Sequence, residues 1–162
     1  MEDNKILKVI YTFFLGFLIA IFVGVGISTF YEAPKAPEWQ NGYSYAEKPS
    51  TEEEAKQKQF NKEIEQHSKA MKPYSRNVSI ITLAAAVLLL AVSLIFEKKI
   101  KIIADGIMLG GLFTLIYSIG KSFASEDSKY TFGVVTVGLA VALYLGYHRF
   151  IRPDKPRKQK RK

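Results

Sequence analysis

The sequence predicts an all-α integral membrane protein. The fold expected is a four-transmembrane-helix bundle with an extracytoplasmic strap and an amphipathic helix between spans 1 and 2. Three observations carry this. Four long runs nearly free of charge make up about half of the 162-residue chain, more apolar length than the polar remainder could bury. Each run approaches the ~20 residues needed to cross a ~30 Å hydrocarbon core. Basic residues concentrate at the ends of the runs and in one tail, as they do where a chain is threaded through a membrane.

The first span is 9–31, following a short charged segment at 1–8, read as a cytoplasmic N-terminus. Its 23 residues, Val9 to Tyr31, exceed the apolar core of a cleavable signal peptide, and no small-x-small site follows, so it is expected to stay as an anchor. An outer segment covers 32–76. In its first part, Glu32 to Pro49, Pro34, Pro37 and Pro49 argue against a continuous helix, and Trp39, Tyr43 and Tyr45 suit a strap on the membrane surface. A helix is expected over about 51–72. Thr51 and Glu54 have capping-box spacing, Glu52–Lys56, Glu54–Lys58 and Glu65–Lys69 are four residues apart, and Pro73 should stop or kink it. Phe60, Ile64, His67 and Met71 make a narrow apolar stripe on this helix. It could lie on the bilayer or the strap, or pair with another helix.

Span 2 is 77–96, a hairpin follows at 97–101, and span 3 is 102–120. An outer loop covers 121–129, span 4 is 130–148, and a basic tail is 149–162. Lys98, Lys99 and Lys101 crowd the hairpin. The eight bases between Glu32 and Arg76 are spread out and matched by acids. Both termini are therefore expected in the cytoplasm, in the cytoplasmic membrane. The tail should be disordered, with Arg152, Lys155, Arg157, Lys158, Lys160, Arg161 and Lys162 drawn to anionic lipid headgroups. A nucleic-acid partner is not expected.

Small residues recur every four positions in three spans. They are Gly16, Ala20, Gly24 and Ser28; Gly106, Gly110, Thr114 and Ser118; and Gly138, Ala142 and Gly146. Such series let helix backbones approach closely, within one chain or between chains. Asp105 is the one acid inside an apolar run, which makes it a candidate ion or proton site. It shares a helical face with Lys98 and Lys101, so a salt bridge at the inner boundary is the simpler expectation.

With no cysteine and only His67 and His148, the chain offers no thiolate chemistry, no metal-ligand spacing and no catalytic pair. Metal, cofactor and enzymatic activity are not expected, and no phosphate-binding or nucleophile motif occurs. The function that fits is a small non-enzymatic scaffold, accessory or assembly subunit of a membrane complex, with a protein partner or a homo-oligomer. The alternative is a small channel or transporter subunit with Asp105 in its pathway.

Overall fold

The computed structural model describes residues 3–37 and 51–151, and these form helices with no strand. The predicted strap from Glu38 onward and the basic tail from Arg152 lie outside the described residues. Four helices follow in chain order: α1 (Asp3–Phe30), α2 (Thr51–Phe96), α3 (Lys101–Phe123) and α4 (Ser128–Gly146). A π-helical turn, Tyr147–Ile151, ends the described chain. All four helices are long and apolar enough to cross a membrane.

Helix α3 is the hub. It packs against α1 on one side and α2 on the other, while α1 and α2 touch each other little and α4 packs more lightly. The most apolar window of α3 is 39% buried, against 6% for α1, so α1 is peripheral. Adjacent glycines on α3 make this double packing possible, because neighbouring positions on a helix point about 100° apart. A Cβ built on Gly110 would stand 2.8 Å from Ile19 of α1, and one on Gly111 would stand 2.8 Å from Leu90 of α2.

The α2–α3 hairpin and the end of α4 share one end of the bundle with the start of α1. The opposite end carries Tyr31, the α3–α4 turn and the N-terminal part of α2. We call these the hairpin end and the stalk end.

Pro73 does not stop the helix, so the outer helix expected at 51–72 and span 2 expected at 77–96 are one element. Helix α2 runs unbroken for 46 residues, about 69 Å at the standard rise, with Pro73 inside it. Proline removes the hydrogen bond to the carbonyl four residues back, here Lys69. Pro73 and Lys69 are both exposed, so the freed carbonyl is on the solvent side. Contacts flank the proline on both sides. Lys72 pairs with Glu126 of the α3–α4 turn at 2.6 Å. Tyr74 stacks on Tyr31, with centroids 5.2 Å apart and planes 1° apart, and Ser75, Val78 and Ser79 are buried. Glu126 itself sits at φ 56°, the left-handed conformation that lets this tight turn reverse the chain. Asp127 then caps α4, its carboxylate accepting from Lys129 N and Tyr130 N at 3.1 Å each.

The stripe on the outer part of α2 is partly covered. Phe60, His67 and Met71 are half-buried, Ile64 is 43% exposed, and His67 Nε2 lies 3.2 Å from the Pro34 carbonyl. Beyond this brace, the helix from Glu54 to Gln59 is exposed on every side.

Candidate functional site: an ion-paired arginine and a serine clasp

Asp105 lies one turn into α3 and is 30% exposed at its side chain. Its partner is Arg149 in the π-helical turn after α4, not Lys98 or Lys101 as the shared helical face suggested. The Arg149 Nη2 donates to Asp105 Oδ1, and Nη1 stands 3.6 Å from Glu97 Oε2 at the end of α2. One guanidinium, only 7% exposed, thus ties together the ends of three helices. The arrangement has a physical rationale. A charge near an apolar zone is costly unless paired, and a planar guanidinium can serve two carboxylates at once. The π-turn widens the helix by one residue per turn, and Arg149, the base that closes the fourth apolar stretch, sits within it. The sequence held a signal for this pairing: Glu97 and Asp105 flank the hairpin, and Arg149 is the first base after the fourth run, which must end on the same side. Beside it, the His148 ring meets the Tyr144 ring at a tilt, 6.2 Å away.

The second polar cluster lies between α2 and α3. Ser79 Oγ donates to Ser118 O at 2.9 Å, and Ser118 Oγ donates to Ser79 O at 2.8 Å. Both serines are fully buried. This reciprocal clasp is the one place among the described residues where buried hydroxyls of α2 and α3 bond across to each other. Thr114, Thr82, Ser93 and Ser122 bond carbonyls of their own helices instead. Thr131 of α4 reaches Ser122 O of α3 at 2.9 Å.

The small-residue series divide. On α1, a Cβ at Gly16 would stand 2.8 Å from Leu109 Cβ and 3.1 Å from Gly110 N, so this backbone contact requires glycine. Gly106 and Gly110 face α1 in the same way, meeting Leu15 at 2.6 Å and Ile19 at 2.8 Å. Thr114 and Ser118 are buried too, but Ser118 faces α2. A Cβ built on Gly138 would stand 3.5 Å from Ile119 and Leu115, an ordinary van der Waals contact. At Gly24 and Gly146 a built Cβ meets nothing of this chain within 4 Å. Ser28 is exposed and bonds Val25 O of its own helix, while Ala20 and Ala142 are half-buried. The reason is angular. Steps of four residues turn a helix through about 400°, so each member drifts about 40° from the last. Two steps past Gly16, the series no longer faces α3. Gly111, which meets Leu90, belongs to no such series and escapes the pattern.

Among the described residues, no three His, Asp or Glu side chains come together as a metal ion would require. Comparison with protein-family models, with curated proteins and with solved structures gives no match.

Proposed function

We propose that this chain is a multi-pass protein of the cytoplasmic membrane, with both termini cytoplasmic, that acts without catalysis as a scaffold, accessory or assembly subunit of a membrane complex. The observation that carries this reading is the unbroken α2. If residues 77–96 cross the membrane, the 26 residues before them extend about 39 Å beyond it, as one helix braced at its base. A braced, exposed helix is an economical element for holding a partner at a set distance from the bilayer. Asp105, the residue on which a transport reading would rest, is engaged by Arg149, which supports a structural role for it.

The test is site-specific photo-crosslinking in intact cells, with the probe at Gln59 or Gln66 on the projecting helix and at Ile95 as a buried-in-lipid control. Discrete protein adducts from the first two positions, absent at Ile95, are the expected result. Adducts to lipid alone at all three positions would sink the scaffold reading. Loss of an ion flux in Asp105→Asn, with the fold intact, would favour the transport alternative.

A further inference from the structure

Lys121 stands in the last turn of α3, one turn beyond Tyr117. Its Nζ lies 5.8 Å from the centre of the Tyr74 ring and 5.7 Å from that of Tyr117. This cradle is built in advance. Tyr74 is stacked flat on Tyr31, and its hydroxyl donates to Tyr31 O at 3.3 Å. Asn77 Nδ2 donates to the Tyr31 hydroxyl at 2.9 Å. The end of α1, the middle of α2 and the last turns of α3 therefore meet at the rings on which the ammonium rests.

Ring faces attract a cation but do not neutralise it. Among the described residues no carboxylate pairs with Lys121. The two acids of the neighbouring turn are already committed, Glu126 to Lys72 and Asp127 to the α4 cap. An ammonium has three N–H donors, and the phenol of Tyr117, 42% exposed and with no bond of its own among the described residues, adds a fourth. Apolar surface continues beside them: Ile116 is 64% exposed and Phe123 65%. A cation and a hydroxyl, next to exposed apolar side chains, match an anion with acyl chains attached.

We propose that Lys121 and Tyr117 bind a phosphate group of an outer-leaflet lipid, one phosphate oxygen on the Lys121 ammonium and the other on the Tyr117 hydroxyl. The proposal rests on the reading of the helices as membrane spans, which carbonate extraction of whole membranes checks separately.

The test uses the full chain in a phosphate-free glycoside detergent. Dioctanoyl phosphatidylglycerol, dioctanoylglycerol and inorganic phosphate are titrated in turn, and thermal melting is followed. Phosphatidylglycerol should raise the melting temperature, and dioctanoylglycerol, with the same chains and no phosphate, should not. Lys121→Met should weaken the apparent affinity on the order of tenfold or more, the worth of one charged hydrogen bond. Lys121→Arg should keep most of it, and Tyr117→Phe should weaken it less than Lys121→Met. Lys98→Met removes the same charge at the opposite end and should leave this effect unchanged, which separates the site from general attraction by the basic tail. Should Lys121→Met fail to fold, Lys121→Gln and Tyr117→Phe decide the matter. An equal shift from inorganic phosphate at equal concentration would make the ligand a soluble phosphate and overturn the lipid assignment. A Lys121→Met or Lys121→Gln protein that responds like the parent, or a response to dioctanoylglycerol equal to that of phosphatidylglycerol, would overturn the site.

Discussion

The crossing of α1 over α3 gives a sharp prediction, because the structure separates two glycines that look alike in the sequence. At Gly16 an added methyl meets Leu109 Cβ at 2.8 Å and the Gly110 backbone nitrogen at 3.1 Å. Neither atom is the free end of a flexible side chain, so the helices must move apart. Overpacking of this kind costs about 1–3 kcal/mol. At Gly24 the same methyl meets nothing within 4 Å. Alanine also favours helix over glycine by about 0.8–1 kcal/mol, but that gain is common to both sites and cancels when the two variants are compared. Gly16→Ala should therefore lie about 1–3 kcal/mol below Gly24→Ala. For a chain of this size the gap in melting temperature is on the order of 2–12 °C. Thermal denaturation of the two proteins in one detergent, followed by loss of the monodisperse peak in size exclusion, measures it. Gly16→Ala and Gly24→Ala melting together would refute the α1–α3 contact. Gly24→Ala melting well below the parent would show that its open face is covered by another chain.

The arginine clasp predicts unequal single effects and non-additivity. Glu97→Gln should be mild, since Arg149 keeps its hydrogen bond to Asp105, whereas Asp105→Asn leaves only the 3.6 Å contact with Glu97, in which Nη1 makes no hydrogen bond, and should cost more. The double variant strands a buried guanidinium and should lose up to about 3 kcal/mol more than their sum, read from the same melts. Ser79→Ala removes one half of the reciprocal clasp and should cost about 0.6–1.7 kcal/mol, whereas Thr136→Ala, whose hydroxyl bonds Phe132 O on an exposed face, should melt with the parent. The hydrogen bond and charge of Lys69, 2.6 Å away, hold the Glu65 carboxyl below the usual glutamate range. Because the folded value is the depressed one, this contribution to helix stability is present at neutral pH and is lost as pH falls through the folded value. Lys69→Gln should return the Glu65 titration, followed by carbon NMR of the carboxyl, to the ordinary range.

The four long apolar stretches and their order are legible because each rests on a local signal of composition and length; that the outer helix and span 2 are one helix is not. Relations between helices are less legible. The four-residue series of small side chains predicts close approach; at Gly16, Gly106 and Gly110 a built Cβ would stand 2.6–2.8 Å from the neighbouring helix. Gly24 and Gly146 meet no neighbour within the chain, because a straight helix turns its series away from any one neighbour. A run of spacing four therefore marks one contact point, about two members wide, rather than a whole face. Pro73 does not stop α2, and for a different reason. Its cost is one hydrogen bond and a steric clash, of order 3 kcal/mol, and contacts invisible to local reading can offset that. Here Lys72 reaches a residue 54 positions later in the chain and Tyr74 one 43 positions earlier. Arg149 illustrates the same gap at the site. Its distance from Asp105 along the chain is 44 residues, so only the parity of four spans could have brought the two together in thought.

The three levels of the bundle are held by different chemistry, and this bears on which parts can move. At the hairpin end an ion-paired arginine joins α2, α3 and α4, but it does not touch α1. In the middle, α1 meets α3 through glycines and the edge-on rings of Phe13 and Phe113, 5.8 Å apart. At the stalk end α1 is tied to α2 by Tyr31, which stacks on Tyr74 and bonds Asn77. Helix α1 is thus fastened at a crossing and at one tip, with nearly all of its remaining surface exposed. Helices α2 and α3 are joined along their length by Gly111 against Leu90, by the serine clasp and by the arginine. The most closely joined unit is α3 with the part of α2 from Tyr74 onward and with α4 attached, and the projecting part of α2 is continuous with it. A load or a partner on the projecting helix is transmitted directly to α3 and the hairpin end. It reaches α1 through the crossing with α3 and through the tyrosine contact, the same contact that orients the ring under Lys121.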